Sequence, residues 1–304
     1  MDVAQKRDLQ MRAGEGLALD HPMKTHTTFQ VGGAAEAFYE ATDLKGLAEV
    51  VAYLVREQIP YWVIGKGSNI LVRDEGVRGV VIRLSGSLAG IQYGSERNTL
   101  VVGAGVSIQE LLLTCRDRGL GGLEFLSGIP GTLGGAVAMN AGAFGKEVGE
   151  RVEAIRVITP AGGLLEREKE DLQFSYRSLQ LDRGAIITLV RVKLESVGRE
   201  AVFERMAGYL RQKKALQPLG YPSAGSVFKN PVGDYAGRLI EAAGLKGKRV
   251  AGAMISKRHA NFIVNTGGAT ASDILALMNL IQQEVKRISG IQLEPEIRIL
   301  GESA

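Results

Sequence analysis

The chain reads as an α+β protein of about two domains, and three observations predict it. Residues 35–84 follow a strand–helix–strand order, and residues 99–194 hold more strand than helix. A polar helix at 199–217 then leads into a smaller mixed region. A length of 304 residues fits about two domains. Apolar content of 45% and charged content of 23% are ordinary for a globular chain.

Residues 35–41 alternate as a strand. Asp43 is placed to cap a helix whose Leu44, Leu47, Val50, Val51, Leu54 and Val55 share one face. Ile59-Pro60 ends it, and residues 61–64 form a short strand expected to be buried. The loop Gly65-Lys66-Gly67-Ser68-Asn69 follows, Ile70-Leu71-Val72 resumes an extended pattern, and residues 79–84 give another strand. Residues 99–102 read as a strand, 107–118 as a helix, 151–159 as a strand, 160–163 as a turn, and 185–194 as a β-branched strand. Beyond Pro218 come a loop at 219–233, a helix at 235–243 and a strand at 261–264. A last helix opens on the capping box Thr270 to Asp273, with Ile274, Leu277, Ile281, Val285 and Ile288 as its core stripe. Residues 296–300 close the chain as a strand.

Composition removes several function classes. The apolar run at 50–55 is far shorter than the roughly 18 residues of a membrane span. The first sixteen residues are too polar for a secretory signal, so a cytoplasmic location is expected. One cysteine, Cys115, excludes an internal disulfide and reads as a buried thiol on a helix. Three histidines and that cysteine lack metal-ligand spacing, so no metal site is expected. The net charge of +4 conceals a basic block, since residues 205–258 hold eleven Lys/Arg against two acids. Such a block attracts polyanions. It lacks the interleaved aromatics or the helical motifs of a nucleic-acid binder, which favours a small phosphorylated ligand.

The most informative stretch is 127–145, SGIPGTLGGAVAMNAGAFG, with six glycines and no charged residue. Glycine at that density costs up to about 1 kcal/mol per residue in a helix, so an ordinary core helix is not expected there. Bare backbone that presents N–H groups suits a phosphate-bearing ligand. Together with 65–69 it suggests one extended dinucleotide on two backbone cradles. Neither loop has the Walker or Rossmann spacing.

Three other clusters could carry chemistry. Ser226 lies in AGSVFKNP beside Lys229 and Asn230, without the glycine elbow of an acyl-transfer serine. Arg177, in FSYRS, either pairs with the acidic face at 168–171 or clamps a substrate carboxylate through its planar fork. Glu296, in LEPEIRIL, opens an apolar strand, where partial burial would raise its pKa and suit it to proton transfer. Strand-end solvation is the alternative for Glu296. His259 is read as structural.

Taken together, KTHTTFQVGG (24–33), GKGSN, the 127–145 run, FSYRSL, AGSVFKNP, AGLKG (243–247), HANFIVN (259–265) and LEPEIRILG resemble the UDP-N-acetylenolpyruvoylglucosamine reductase family. The resemblance runs nearly the whole chain. It implies an FAD-binding fold of the vanillyl-alcohol-oxidase type with subdomains 1–84 and 85–197, and a substrate domain at 198–304. It implies non-covalent FAD held by Gly65, Lys66, Gly67, Ser68, Asn69, Ile70, Ser127, Ile129, Pro130, Gly131, Thr132, Gly134, Gly135, Asn140 and Gly142. It further implies NADPH as reductant and UDP-N-acetylglucosamine enolpyruvate as substrate in peptidoglycan synthesis, with no nucleic-acid or membrane partner and a monomeric protein. Arg177 matches the residue that holds the developing enolate charge, Glu296 the acid acting on the same carboxyl, and Ser226 the proton donor to carbon. Tyr176, Lys229 and Asn230 match substrate-binding positions. Only residues 178–185 separate FSYRS from the next long strand, which fits the shorter type of the family, without the inserted tyrosine loop. Another flavoprotein of the same fold, such as an alcohol or hydroxy-acid oxidase, is the competing reading, and a colourless sugar-nucleotide binder is a third.

Overall fold

A computed structural model describes residues 1–301. They cluster into two compact units. Unit 1 holds Met1–Leu19, Ala37–Gly65 and Gly79–Gln212; unit 2 holds Asp20–Glu36, Lys66–Arg78 and the chain from Lys213 onward. Each has its own apolar core, built in unit 1 around Leu47, Leu54, Ile82, Leu100, Leu111 and Phe125. In unit 2 it is built around Phe29, Leu71, Phe228, Ile240, Leu277 and Ile281.

Two main sheets are associated with unit 1. A four-stranded sheet, most of whose residues belong to it, runs in the order Leu17–Pro22, Ala34–Ala41, Val77–Leu84, Tyr61–Ile64. Its last pair is parallel, with Tyr61 opposite Val80. The helix Leu44–Arg56 buries Leu47, Val50, Val51 and Leu54, and Asp43 accepts a hydrogen bond from the Gly46 N–H at 2.9 Å, as a cap should. The second sheet is five-stranded and antiparallel, in the order Leu164–Glu168, Val152–Ile158, Ile186–Lys193, Thr99–Gly103, Ile91–Tyr93. It carries the helices Ile108–Arg118 and Leu133–Ala138. Cys115 is buried on the former, and burial pushes its thiol up to about 12.

Unit 2 has a three-stranded antiparallel sheet, Arg249–Val250, Ala253–Ile255, Ile263–Asn265. The helices Ala236–Ala242 and Ala271–Ser289 accompany it, the latter opening on the expected Thr270/Asp273 capping box. A parallel pair joins Ile70–Val72 to Arg298–Leu300. Asp74 accepts hydrogen bonds from the Ala271 and Ser272 N–H groups, both at 2.8 Å. It thereby ties the start of the long helix to the Lys66–Arg78 segment.

Several expectations needed correction. Residues 61–64 form a strand, but it lies at the sheet edge and Val63 is 41% exposed, so it is not buried. The glycine run does contain a helix, Leu133–Ala138, only six residues long. Beyond the elements read from sequence, the chain also forms the helix Val3–Ala13 and the strands Leu17–Pro22, Ile91–Tyr93, Leu164–Glu168 and Ala253–Ile255. Glu296 precedes its strand rather than opening it. Among the described residues no helix is long and apolar enough to cross a membrane.

Candidate active site

Unit 2 brings four of the sequence-predicted motifs together. The Ser226 loop is fixed by Asn261. The Val227 N–H donates to the Asn261 carbonyl at 2.9 Å, and the Phe228 N–H donates to Asn261 Oδ1 at 3.0 Å. Asn261 Nδ2 completes the set by donating to the Phe228 carbonyl at 2.8 Å. The Glu296 N–H donates to the Val227 carbonyl at 2.8 Å, and Phe228 and Pro295 form an isolated antiparallel bridge. The serine loop and the glutamate segment are therefore neighbours. Asn69 joins them, since its Nδ2 donates to the Glu296 carbonyl at 3.1 Å and its own carbonyl accepts from the Arg298 N–H at 2.9 Å. Glu296 is half-buried, which agrees with the partial burial expected of it.

The proposed substrate contacts in this unit have local partners as well. Lys229 Nζ lies 3.4 Å from Glu294 Oε2. Asn230 Oδ1 accepts from the Ala236 N–H at 3.1 Å, capping the helix Ala236–Ala242, so that oxygen serves the fold. His259 takes the structural place expected of it. Its Nδ1 accepts from the Asn261 N–H at 3.3 Å, its ring meets Phe262 edge-on, and burial, aided by Lys246, holds its pKa below the ordinary value.

The loop Gly65–Asn69 is divided, with Gly65 in unit 1 and the rest in unit 2. Gly67 has φ +64°, and a Cβ there would strike the His26 carbonyl and come within 2.8 Å of Thr27 Cα. Its own carbonyl accepts from the Thr28 N–H at 3.1 Å. Only glycine fits such a position.

In unit 1, Gly65 lies against the glycine run, since a Cβ there would be 2.5 Å from Thr132 Oγ1. Not all of the run's backbone is bare. The Leu133 and Gly134 N–H groups donate to the Val106 and Ala104 carbonyls at 2.8 and 2.9 Å. The beginning of the run differs. Among the described residues, the N–H groups of Gly128, Gly131 and Thr132 have no acceptor, and the buried Ser127 hydroxyl has no partner. A buried hydroxyl left unsatisfied calls for a ligand or water, and the exposed Gly128 lies beside it. Donors without charge at 127–132, beside a glycine that a side chain could not replace, fit a cofactor diphosphate.

The far end of the run does something else. Asn140 is 1% exposed. Its Nδ2 donates to Glu147 Oε2 at 2.6 Å and to the Ser175 carbonyl at 3.0 Å. Its Oδ1 accepts from the Gly149 N–H at 3.1 Å and its N–H goes to Val137. The side-chain amide of Asn140, a residue the resemblance assigns to the cofactor, is engaged by the protein. Gly142 accepts a hydrogen bond from Arg177 Nη2 at 3.2 Å. Arg177 does not join the acidic face as one reading had it: Glu168 pairs with Arg191, and Arg177 Nη1 lies 4.0 Å from Glu147. Its guanidinium also lies over the Tyr176 ring, 4.9 Å from the centroid.

Three residues escaped sequence reasoning. Asn261 lies inside a quoted motif and Glu147 two residues beyond one, yet nothing in spacing shows that their side chains face Arg177 and brace the Ser226 loop. Lys213, in the last turn of Arg199–Leu216, is 4% exposed with no partner for Nζ among the described residues. Burial lowers its pKa to about 8.

Residues 217–300 match the family model of the UDP-N-acetylenolpyruvoylglucosamine reductase C-terminal domain, and residues 35–167 match that of an FAD binding domain. A UDP-N-acetylenolpyruvoylglucosamine reductase from Geobacter metallireducens is 48% identical over 283 residues, 93% of each chain. The chain belongs to this reductase family. A second member, from Caldanaerobacter subterraneus, is 42% identical over 287 residues, 94% of each chain. The crystal structure of the UDP-N-acetylenolpyruvylglucosamine reductase from Thermus caldophilus superimposes with a TM-score of 0.81 at 41% identity. It covers 94% of this chain and 98% of that one. The reductase fold, with its FAD binding domain, is therefore the α+β fold expected, and FAD is the cofactor.

Proposed function

We propose that the protein reduces UDP-N-acetylglucosamine enolpyruvate to UDP-N-acetylmuramate with NADPH, in the cytoplasm, as a step of peptidoglycan precursor synthesis. The observation that carries this reading is the joining of the Ser226 loop, the Glu296 segment and Asn69 by backbone hydrogen bonds within unit 2. An acid, a hydroxyl and a cofactor loop held together suit a reduction that needs both hydride and proton.

When bound and reduced by NADPH, FAD would supply the hydride. Gly65 to Ile70 and the Ser127–Gly135 stretch hold the cofactor, with the N–H groups of Gly128, Gly131 and Thr132 and the Ser127 hydroxyl as its donors. Ser226 gives a proton to the enolpyruvyl carbon adjacent to the carboxylate. That leaves saturated carbon where the double bond was, and general-acid help of this kind is worth roughly 10²–10⁴ in rate. Arg177 holds the substrate carboxylate as charge spreads onto it, a contribution of about 10²–10³. Glu296, protonated, donates to the same carboxyl group. Tyr176, Lys229 and Asn230 bind the sugar nucleotide. Residues 1–84 and 85–197 serve as the two FAD subdomains and 198–304 as the substrate domain, in a monomer.

An anaerobic titration tests this. The yellow protein should be bleached by NADPH and regain its colour on adding the enolpyruvyl substrate. Bleaching without recovery rejects the assignment. In Ser226→Ala, reduction by NADPH should persist while recovery of colour slows at least a hundred-fold. Equal loss of both half-reactions would make Ser226 structural.

A further inference from the structure

Arg177 occupies the second position of a two-residue turn, Tyr176-Arg177, between the paired strands Phe174–Ser175 and Ser178–Leu179. Its φ is +58°, a left-handed conformation unfavourable for any residue with a side chain. Such a conformation persists only where the surroundings over-determine it. One buried amide and one carboxylate are among those surroundings. Asn140 Nδ2 donates to the carbonyl of Ser175, which opens the turn, and to Glu147 Oε2. Glu147 Oε1 in turn lies 4.0 Å from Arg177 Nη1, while Nη2 donates to Gly142. A single residue, Asn140, thus holds both the turn that carries the arginine and the acid that faces its guanidinium.

We propose that Glu147, gripped by Asn140, is the positioning residue for Arg177. Its carboxylate sets the plane of the guanidinium so that the fork meets the substrate carboxylate in one orientation. The inference rests on the reading of Arg177 as the carboxylate clamp. The geometry suits this task. At 4.0 Å the carboxylate faces the guanidinium without a short bidentate contact of its own. The guanidinium side chain is only 18% exposed and the carboxylate 35%, so solvent screens the pair less than it would a surface one. Removing the charge leaves an arginine that is more strongly positive to an arriving anion but poorly aimed. Ground-state binding should survive, and the step in which charge develops should suffer.

The test uses the FAD-loaded enzyme in four forms: wild type, Glu147→Gln, Arg177→Lys and the double variant. Stopped-flow re-oxidation of the reduced protein by the enolpyruvyl substrate should slow about ten-fold in Glu147→Gln. Reduction by NADPH should be unchanged, and calorimetric affinity for UDP-N-acetylmuramate should stay within three-fold of wild type. In the Arg177→Lys background the same change should alter re-oxidation less than two-fold, because a point charge has no plane to set. Glu147→Asp, which keeps the charge, should recover at least half the rate. Wild-type re-oxidation in Glu147→Gln, equal slowing in both backgrounds, or parallel loss of both half-reactions would overturn the role of Glu147. A wild-type protein that the substrate fails to re-oxidise would instead overturn the proposed function itself.

Discussion

Replacing Asn261 by alanine should cost more than its position suggests, because the residue is an internal strut for the Ser226 loop. Asn261 is 3% exposed, and Phe228, whose N–H and carbonyl it satisfies, is fully buried. Alanine removes both partners at once and leaves the Phe228 backbone groups without water or protein to bond. A buried group left unsatisfied costs about 1–3 kcal/mol, so the pair predicts roughly 2–5 kcal/mol. The Val227 N–H bond uses the Asn261 backbone carbonyl and survives the change. Urea unfolding of wild type and Asn261→Ala, compared at equal m-values, measures the loss directly. Because the strut adjoins Ser226, the variant should also re-oxidise more slowly with the enolpyruvyl substrate while NADPH still bleaches it. A stability loss below about 1 kcal/mol with unaltered re-oxidation would refute the reasoning, since it would mean the loop holds its shape without the amide.

Lys213 should make stability pH-dependent in an unusual direction. Its folded pKa of about 8 lies below the ordinary 10.5, so the unfolded chain binds more protons between those values. Stability should then rise from pH 8 to 10.5 by up to about 3 kcal/mol. Lys213→Met should be the more stable form at pH 7, with the gap closing by pH 10.5, and parallel stability profiles for the two proteins would contradict this. Gly67→Ala should release FAD, because a Cβ there has no room against His26 and Thr27. The absorbance of bound flavin after gel filtration reports it, and full retention would show that the loop can shift.

Sequence periodicity and capping chemistry made the regular elements legible. Asp43 and Thr270 announced their helices because N-cap preferences are local and strong. What sequence could not show was position within a sheet. Residues 61–64 are apolar enough to read as interior, yet their place at an edge exposes Val63. The helix Val3–Ala13 was missed for the opposite reason. It buries only Leu9 and so carries no apolar stripe to read. Ser226, Arg177 and Glu296 could be proposed as functional residues because their motifs are distinctive. The residues behind two of them, Asn261 and Glu147, act through long-range contacts to which spacing is blind.

The glycine run at 127–145 shows how one segment can serve two ends. Its density first suggested a continuous row of bare N–H donors for a phosphate. Part of it instead meets other chain segments. The Gly134 N–H is bonded to Ala104, and a Cβ on Gly134 would sit 2.6 Å from that of Ala104, so glycine here permits close packing. The donors for a cofactor narrow to residues 127–132. The end of the run instead meets Arg177, the proposed carboxylate clamp. A Cβ on Gly142 would come within 2.6 Å of the Lys146 carbonyl and 3.1 Å of Arg177 Nη1, so glycine leaves room for the arginine to reach the Gly142 carbonyl. Gly142→Ala should therefore resemble Glu147→Gln, slowing re-oxidation by the substrate while FAD stays bound. Loss of FAD from Gly142→Ala would return this end of the run to the cofactor and separate it from Arg177.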